Sequence, residues 1–194
     1  MPARRVVRHS PHRRRQVITK PKLLHRHGCL VRVFGLGVFL RGPSGSGKSL
    51  AVFELIRRGH ALIADDMVKM QKLGSKLMGK ATPPLAGYLH IQGIGLIDVA
   101  KALGKKALLS TSSIDFIIEY LEPGQAKSYN HSSSRQWGQL AGVKLPIYKM
   151  KSETSAGFIE AAVLKEKGRT EHPEKKLNLA VRRLMKPSIK QKSK

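Results

Sequence analysis

Gly42-Pro-Ser-Gly-Ser-Gly-Lys48-Ser49 decides how the rest of this chain is read. The octapeptide fits the pattern G-x-x-x-x-G-K-S/T, and its flanks supply the setting in which that pattern has a mechanism. Leu36–Leu40 before it is apolar and rich in strand formers, which predicts a buried strand. Ser49–Arg58 after it holds helix formers at nearly every position and stops at Gly59, which predicts a helix. In such a strand–turn–helix, Gly42, Gly45 and Gly47 let backbone N–H groups wrap phosphate oxygens, with Pro43, Ser44 and Ser46 completing the turn. The helix N-terminus adds partial positive charge, Lys48 reaches the outer phosphates, and the Ser49 hydroxyl is placed to hold Mg²⁺. Residues 42–49 therefore read as a nucleotide-binding loop.

At 194 residues the chain suits one ordinary domain with tails. Its single cysteine, Cys29, excludes an internal disulfide and reads as a buried thiol in a reducing compartment. No apolar run approaches the roughly 20 residues of a membrane span, and no signal-peptide core is present. The expectation is a soluble, cytoplasmic protein with no membrane partner.

The formal net charge of +25 is concentrated at the ends. Residues 1–32 hold ten Lys/Arg and no acid, and residues 165–194 hold eleven against three, leaving sixteen against nine between them. Basic ends of this kind bind nucleic acid or another polyanion, or simply stay solvated. An arginine-rich, acid-poor start also fits an organelle transit peptide, although it is poor in serine.

Composition divides the chain into a basic arm over 1–20, a domain over 21–166 and a basic segment over 167–194. Within the domain, Cys29–Phe34, Leu36–Leu40, Ala61–Ala64, Ile114–Leu121, Gly142–Met150 and Phe158–Leu164 read as strands. Residues 67–88 read as strand and turn, broken at Pro83-Pro84. Leu89–Val99 is apolar with two glycines, which suggests close approach to a ligand or another backbone. Residues 123–136 read as a polar loop, and Glu174–Met185 as an amphipathic helix with a basic outer side. The class is α/β.

Asp65 and Asp66 close the strand that follows the phosphate-loop helix, and strand C-termini are where α/β sites lie. One carboxylate is then placed to join Ser49 at a metal, while the other faces an acceptor hydroxyl. Two adjacent carboxylates also raise each other's pKa, which suits general acid–base work. A plain Asp-Asp turn capping a strand is the structural alternative.

Gly42–Ser49, the helix ending Arg57-Arg-Gly-His60, the strand ending Ala64-Asp65-Asp66, and Gln92-Gly-Ile-Gly-Leu-Ile-Asp-Val99 together resemble the catalytic domain of HPr kinase/phosphorylase. The resemblance runs from about His27 to Ala162. It implies a P-loop kinase domain of the phosphoenolpyruvate carboxykinase-like fold, using ATP and Mg²⁺. It implies phosphorylation, and removal of phosphate, at a serine of the phosphocarrier protein HPr. It also implies a homo-oligomer, often a hexamer, in a short form lacking the separate N-terminal domain of longer members. By position, His27 matches an active-site histidine, and Asp66 the residue that accepts the seryl proton. In that reading Lys48 would stabilise the transferred phosphoryl group, and Ser49 with Asp65 would hold the metal.

The chain departs from the family pattern at several points. In the family segment L-E-I-R-G-x-G-I-x-N/D-V the glutamate helps to hold Mg²⁺; here His90 and Gln92 replace glutamate and arginine. A neutral imidazole is a poor ligand for a hard, oxygen-preferring cation. His131 falls near the family's catalytic arginine, Leu50 replaces an acidic residue, and Lys149–Ser155 is shorter than the loop linked to the phosphorylase reaction. As an expectation, each change bears against turnover more than against nucleotide binding. Three functions therefore compete: an ATP-dependent protein serine kinase acting on an HPr-like protein, an ATP-binding regulator with weak catalysis, and a nucleic-acid binder working through its basic tails.

Overall fold

The computed structural model describes residues 23–122, 124–125, 135–151 and 156–170. Strands β1 (Leu23–His27), β2 (Cys29–Val33) and β3 (Leu36–Arg41) lead through the glycine-rich turn into helix α1 (Lys48–Arg57). Strand β4 (Ala61–Ala64) follows, then a hairpin of β5 (Met67–Leu73) and β6 (Lys76–Ala81). A second hairpin, β7 (Tyr88–Ile91) with β8 (Gly95–Asp98), runs into the short helix α2 (Val99–Leu103). After β9 (Thr111–Ser113) come β10 (Phe116–Tyr120), β11 (Gln136–Leu140), β12 (Val143–Met150) and helix α3 (Ala156–Thr170).

These strands form a six-stranded sheet of order β11-β12-β10-β3-β2-β4, a four-stranded sheet of order β1-β5-β6-β9, and the β7-β8 ribbon. Strand β10 lies parallel to both β3 and β12, whereas β2 runs antiparallel to its neighbours β3 and β4. The central strands are apolar on both faces because each face is covered. Val38 and Leu40 of β3, with Phe116 and Ile118 of β10, pack with Val52 and Leu55 of α1 and Ile159 and Val163 of α3. Phe39 and Ile117, on the opposite face, pack with Val68, Met70 and Leu77 of the four-stranded sheet. The layers are helix, sheet, sheet, in keeping with the α/β class.

One strand expected from the sequence is a helix. Phe158–Leu164 lies inside α3, not in a strand. Its apolar run suits either state, but Ala156, Ile159, Val163 and Glu166 recur at intervals of three and four, and all are buried. That is the period of a helix face laid on a core. Helix α3 continues past residue 166 to Thr170. Strand β1 has no counterpart among the expected elements; its exposed, basic LLHRH sequence lacks the apolar run that marks a buried strand. The 1–20 arm, His131 and the Glu174–Met185 helix lie outside the described residues, as does most of the 123–136 loop. Of the Lys149–Ser155 loop, only Lys149–Lys151 is described.

Candidate active site

The chain passes between the two large sheets at Gly28, which separates β1 from β2, and again at Asp65-Asp66, which separates β4 from β5. The crossings lie side by side, with the Gly28 N–H donating to the Asp66 carbonyl at 3.0 Å. Gly28 has φ 145°, and a Cβ there would lie 2.4 Å from the Leu40 carbonyl oxygen, so no larger residue fits the first crossing. Asp66, at φ 65°, takes the left-handed conformation that aspartate tolerates better than most residues. The two carboxylates consequently serve different partners, Asp65 the Ser49 hydroxyl and Asp66 the His27 ring.

Asp65 is buried and accepts from three segments. Ser49 Oγ lies 3.1 Å from Oδ1, the His90 backbone N–H donates to Oδ2 at 2.9 Å, and Cys29 Sγ sits 2.7 Å from Oδ1. Burial pushes the Cys29 thiol pKa well up, and the neighbouring Asp65 charge adds to the rise while Lys48 opposes it. The thiol is therefore the donor in this contact. Asp66 instead is half exposed, with Oδ1 3.0 Å from His27 Nδ1.

The glycine-rich turn connects β3 to α1. Gly47, at φ 85°, caps the helix, and its carbonyl accepts from the Ala51 N–H at 2.9 Å. Lys48 is buried, and its ammonium donates to the carbonyls of Gly42 and Pro43 at 3.1 and 2.5 Å and to Ser46 Oγ at 3.3 Å. A cation is thus held within the turn itself. Ser44 through Ser49 line a cavity of about 930 Å³ together with His27, Asp65 and Asp66. Gly42 and Pro43 stand behind this lining and act on it through Lys48. The opposite wall is the β7-β8 ribbon, which contributes His90, Gln92 and Leu96, while Leu50 lies on the helix side.

Ser49 and Asp65 supply a hydroxyl and a carboxylate, the hard oxygen donors that Mg²⁺ takes, so these residues fit that ion. Among the described residues, no group of three or more His, Cys, Asp or Glu side chains is gathered as a metal cage. A two-oxygen contribution is what Mg²⁺ requires when phosphates and water complete its shell. His90 enters through its main chain, by orienting Asp65. Neither that contact nor the Cys29 thiol on Asp65 is legible in the sequence, because both depend on register between strands far apart in the chain.

The chain matches the family model described as HPr Serine kinase C-terminal domain over residues 21–182. The chain belongs to this family. HPr kinase/phosphorylase of Mycoplasma genitalium is 34% identical over 144 residues, which is 71% of this chain and 46% of that protein. HPr kinase/phosphorylase of Clostridium acetobutylicum is 45% identical over 64% of this chain and 40% of its own length. The chain spans under half the length of each of these curated relatives. Among solved structures, the Hpr(Ser) kinase/phosphatase from Coxiella burnetii superposes with a TM-score of 0.69 at 26% identity, covering 76% of this chain and 99% of that one. The HPr kinase domain is thus the fold of this chain, a P-loop architecture of the phosphoenolpyruvate carboxykinase type. Among the described residues, no helix is long and apolar enough to cross a membrane.

Proposed function

We propose that this chain is the catalytic domain of an ATP-dependent protein serine kinase acting on HPr or a closely similar phosphocarrier protein. One observation carries the reading: the glycine-rich turn, the Ser49–Asp65 pair and the His27–Asp66 pair open onto a single cavity. Family membership and the names of the relatives support the same substrate. A cytoplasmic location goes with such a substrate, and the family resemblance adds a homo-oligomer, often a hexamer.

In this mechanism the Lys48 ammonium exchanges the Gly42 and Pro43 carbonyls for phosphate oxygens of ATP, and backbone N–H groups of 44–48 take up the remaining charge. Ser49 Oγ and Asp65 would hold Mg²⁺, which would supply positive charge to offset that of the phosphates. Asp66, oriented by His27, takes the proton of the attacking seryl hydroxyl. The serine oxygen bonds to the terminal phosphorus, the bond to the bridging oxygen breaks, and ADP leaves. In the phosphorylase direction an oxygen of inorganic phosphate bonds to the phosphorus of phosphoserine, the bond from that phosphorus to the seryl oxygen breaks, pyrophosphate leaves, and Asp66 gives a proton to the seryl oxygen.

Weak turnover with intact nucleotide binding is the second reading. It is favoured by His90, Gln92 and Leu50 on the cavity wall, where the family pattern has a carboxylate, a guanidinium and an acidic residue. Transfer of label from ATP to the serine of HPr by wild type and Lys48→Ala separates the two. Labelling by wild type alone supports the kinase, and equal labelling by both removes it. Tight ATP binding with no transfer supports the regulator, and His90→Glu should then raise transfer.

A further inference from the structure

We infer that the outer face of the four-stranded sheet is the docking surface for an acidic patch beside the receiving serine of the protein substrate. The inference rests on the phosphotransfer reading above, and it concerns residues outside that site. On this sheet, cross-strand register places His25 of β1 opposite Lys69 of β5, and Lys69 opposite Lys80 of β6. Alternation puts all three on the side away from Val68, Met70 and Leu77, which pack inward. Lys76 of β6, opposite Leu73, shares that outer side. The strands LLHRH, MVKMQKL, KLMGKA and TSS contain no acidic residue. Among the described residues, no ion pair is formed by Lys69, Lys76 or Lys80. The nearest carboxylates in sequence are engaged elsewhere, Asp66 by His27 and Asp115 by the Gly37 N–H and the Ser113 hydroxyl.

Folding does not account for this row. Like charges directly opposite on neighbouring strands destabilise a sheet. Lysines do protect exposed sheet edges from pairing, but β5 and β6 are the interior strands of this sheet, so that need does not arise at Lys69 or Lys80. Position favours a protein substrate. His27 follows His25 by two residues on the same face of β1, so the row lies about 7 Å along the strand from the His27–Asp66 pair. From β1 to β6 the row spans roughly 10 Å, the scale of a few carboxylates beside a docked loop. A nucleic-acid footprint of about 6–10 phosphate contacts would need a longer cationic stripe.

The test is direct binding of HPr from Clostridium acetobutylicum to the full chain, at low salt and in 0.5 M NaCl, with ATP affinity measured alongside. Lys69→Gln/Lys80→Gln should weaken HPr binding about tenfold at low salt, lose most of that difference in high salt, and leave ATP affinity unchanged. Lys80→Glu places a carboxylate opposite Lys69; it should melt no lower than wild type and still bind HPr more weakly. This single variant decides the matter if the double variant misfolds. Unchanged HPr binding in the variants overturns the inference, as does absence of HPr binding by wild type. Weakened binding of a duplex DNA probe with unchanged HPr binding also overturns it, in favour of a polyanion surface. Serine labelling is scored separately: its absence in wild type, with charge-dependent HPr binding intact, contradicts the kinase reading and leaves the docking surface standing.

Discussion

Ser49 Oγ lies 3.1 Å from Asp65 Oδ1, which joins the first turn of α1 to the end of β4 across the floor of the cavity. The same carboxylate also receives the Cys29 thiol and the His90 N–H, so its orientation is set before any ligand arrives. Asp65→Asn turns one oxygen into a donor facing donors. It should lower Mg²⁺-dependent ATP affinity by about 10- to 100-fold and cost about 1–3 kcal/mol of stability. Calorimetric ATP titration with and without Mg²⁺ checks the first effect, and denaturant unfolding the second. A Mg²⁺-free affinity that falls equally would place Asp65 outside metal handling.

Gly42 at the start of the turn has φ 146°, and a Cβ there would come within 2.6 Å of Tyr120 Cβ on β10. Gly42→Ala therefore forces the turn away from the central sheet as well as straining its backbone. The expected cost is about 2–4 kcal/mol, with ATP binding lost in proportion to the displaced loop. Thermal melting and ATP titration on the same sample measure both. Gly59→Ala is the control: its position also has positive φ, yet nothing lies within 4 Å of the added carbon, so it should cost less.

Glu160 of α3 ties that helix to the end of α1, accepting from Arg58 at 2.7 Å and lying 3.0 Å from His60 Nε2. Burial raises its pKa, but the hydrogen bonds and charges of His60 and Arg58 outweigh that effect and leave it below the ordinary value. A depressed carboxylate stabilises the fold above its unfolded pKa of about 4.5, and that contribution disappears as pH falls through the lowered value. Glu160→Gln should therefore cost about 1 kcal/mol at pH 7, and the gap to wild type should close as pH approaches 3. Unfolding free energies at pH 7, 5 and 3 test the sign.

Local pattern carried much of this architecture, and partner geometry carried the remainder. The turn at 42–49 was legible because glycine spacing, the preceding apolar strand and the following helix all agree on one local structure. Strands Ala61–Ala64 and Ile114–Leu121 were legible because a strand covered on both faces, at the sheet edge (β4) as in its middle (β10), becomes a largely apolar run. Phe158–Leu164 misled because a short apolar run fits both periods, and only the positions of Ala156 and Glu166 outside it settle the helix. In the site, separate partners for Asp65 and Asp66 were legible from their place at a strand end, whereas the pairing of Asp66 with His27 was hidden because it follows from the left-handed backbone at Asp66. Cys29 looked like ordinary core, since nothing local signals that its strand register sets the thiol against a carboxylate 36 residues away.

The most direct test of the central claim is single-turnover phosphate transfer from ATP to the serine of HPr by wild type and Asp66→Asn, with ATP affinity measured on both. Asp66 is half exposed and pairs with His27, while Ser49 pairs with Asp65, so the variant should fold and bind ATP–Mg²⁺ like wild type. Transfer should fall by about 10²- to 10⁴-fold, the loss expected when a positioned proton acceptor is removed. Equal transfer rates with equal ATP affinity would contradict the account.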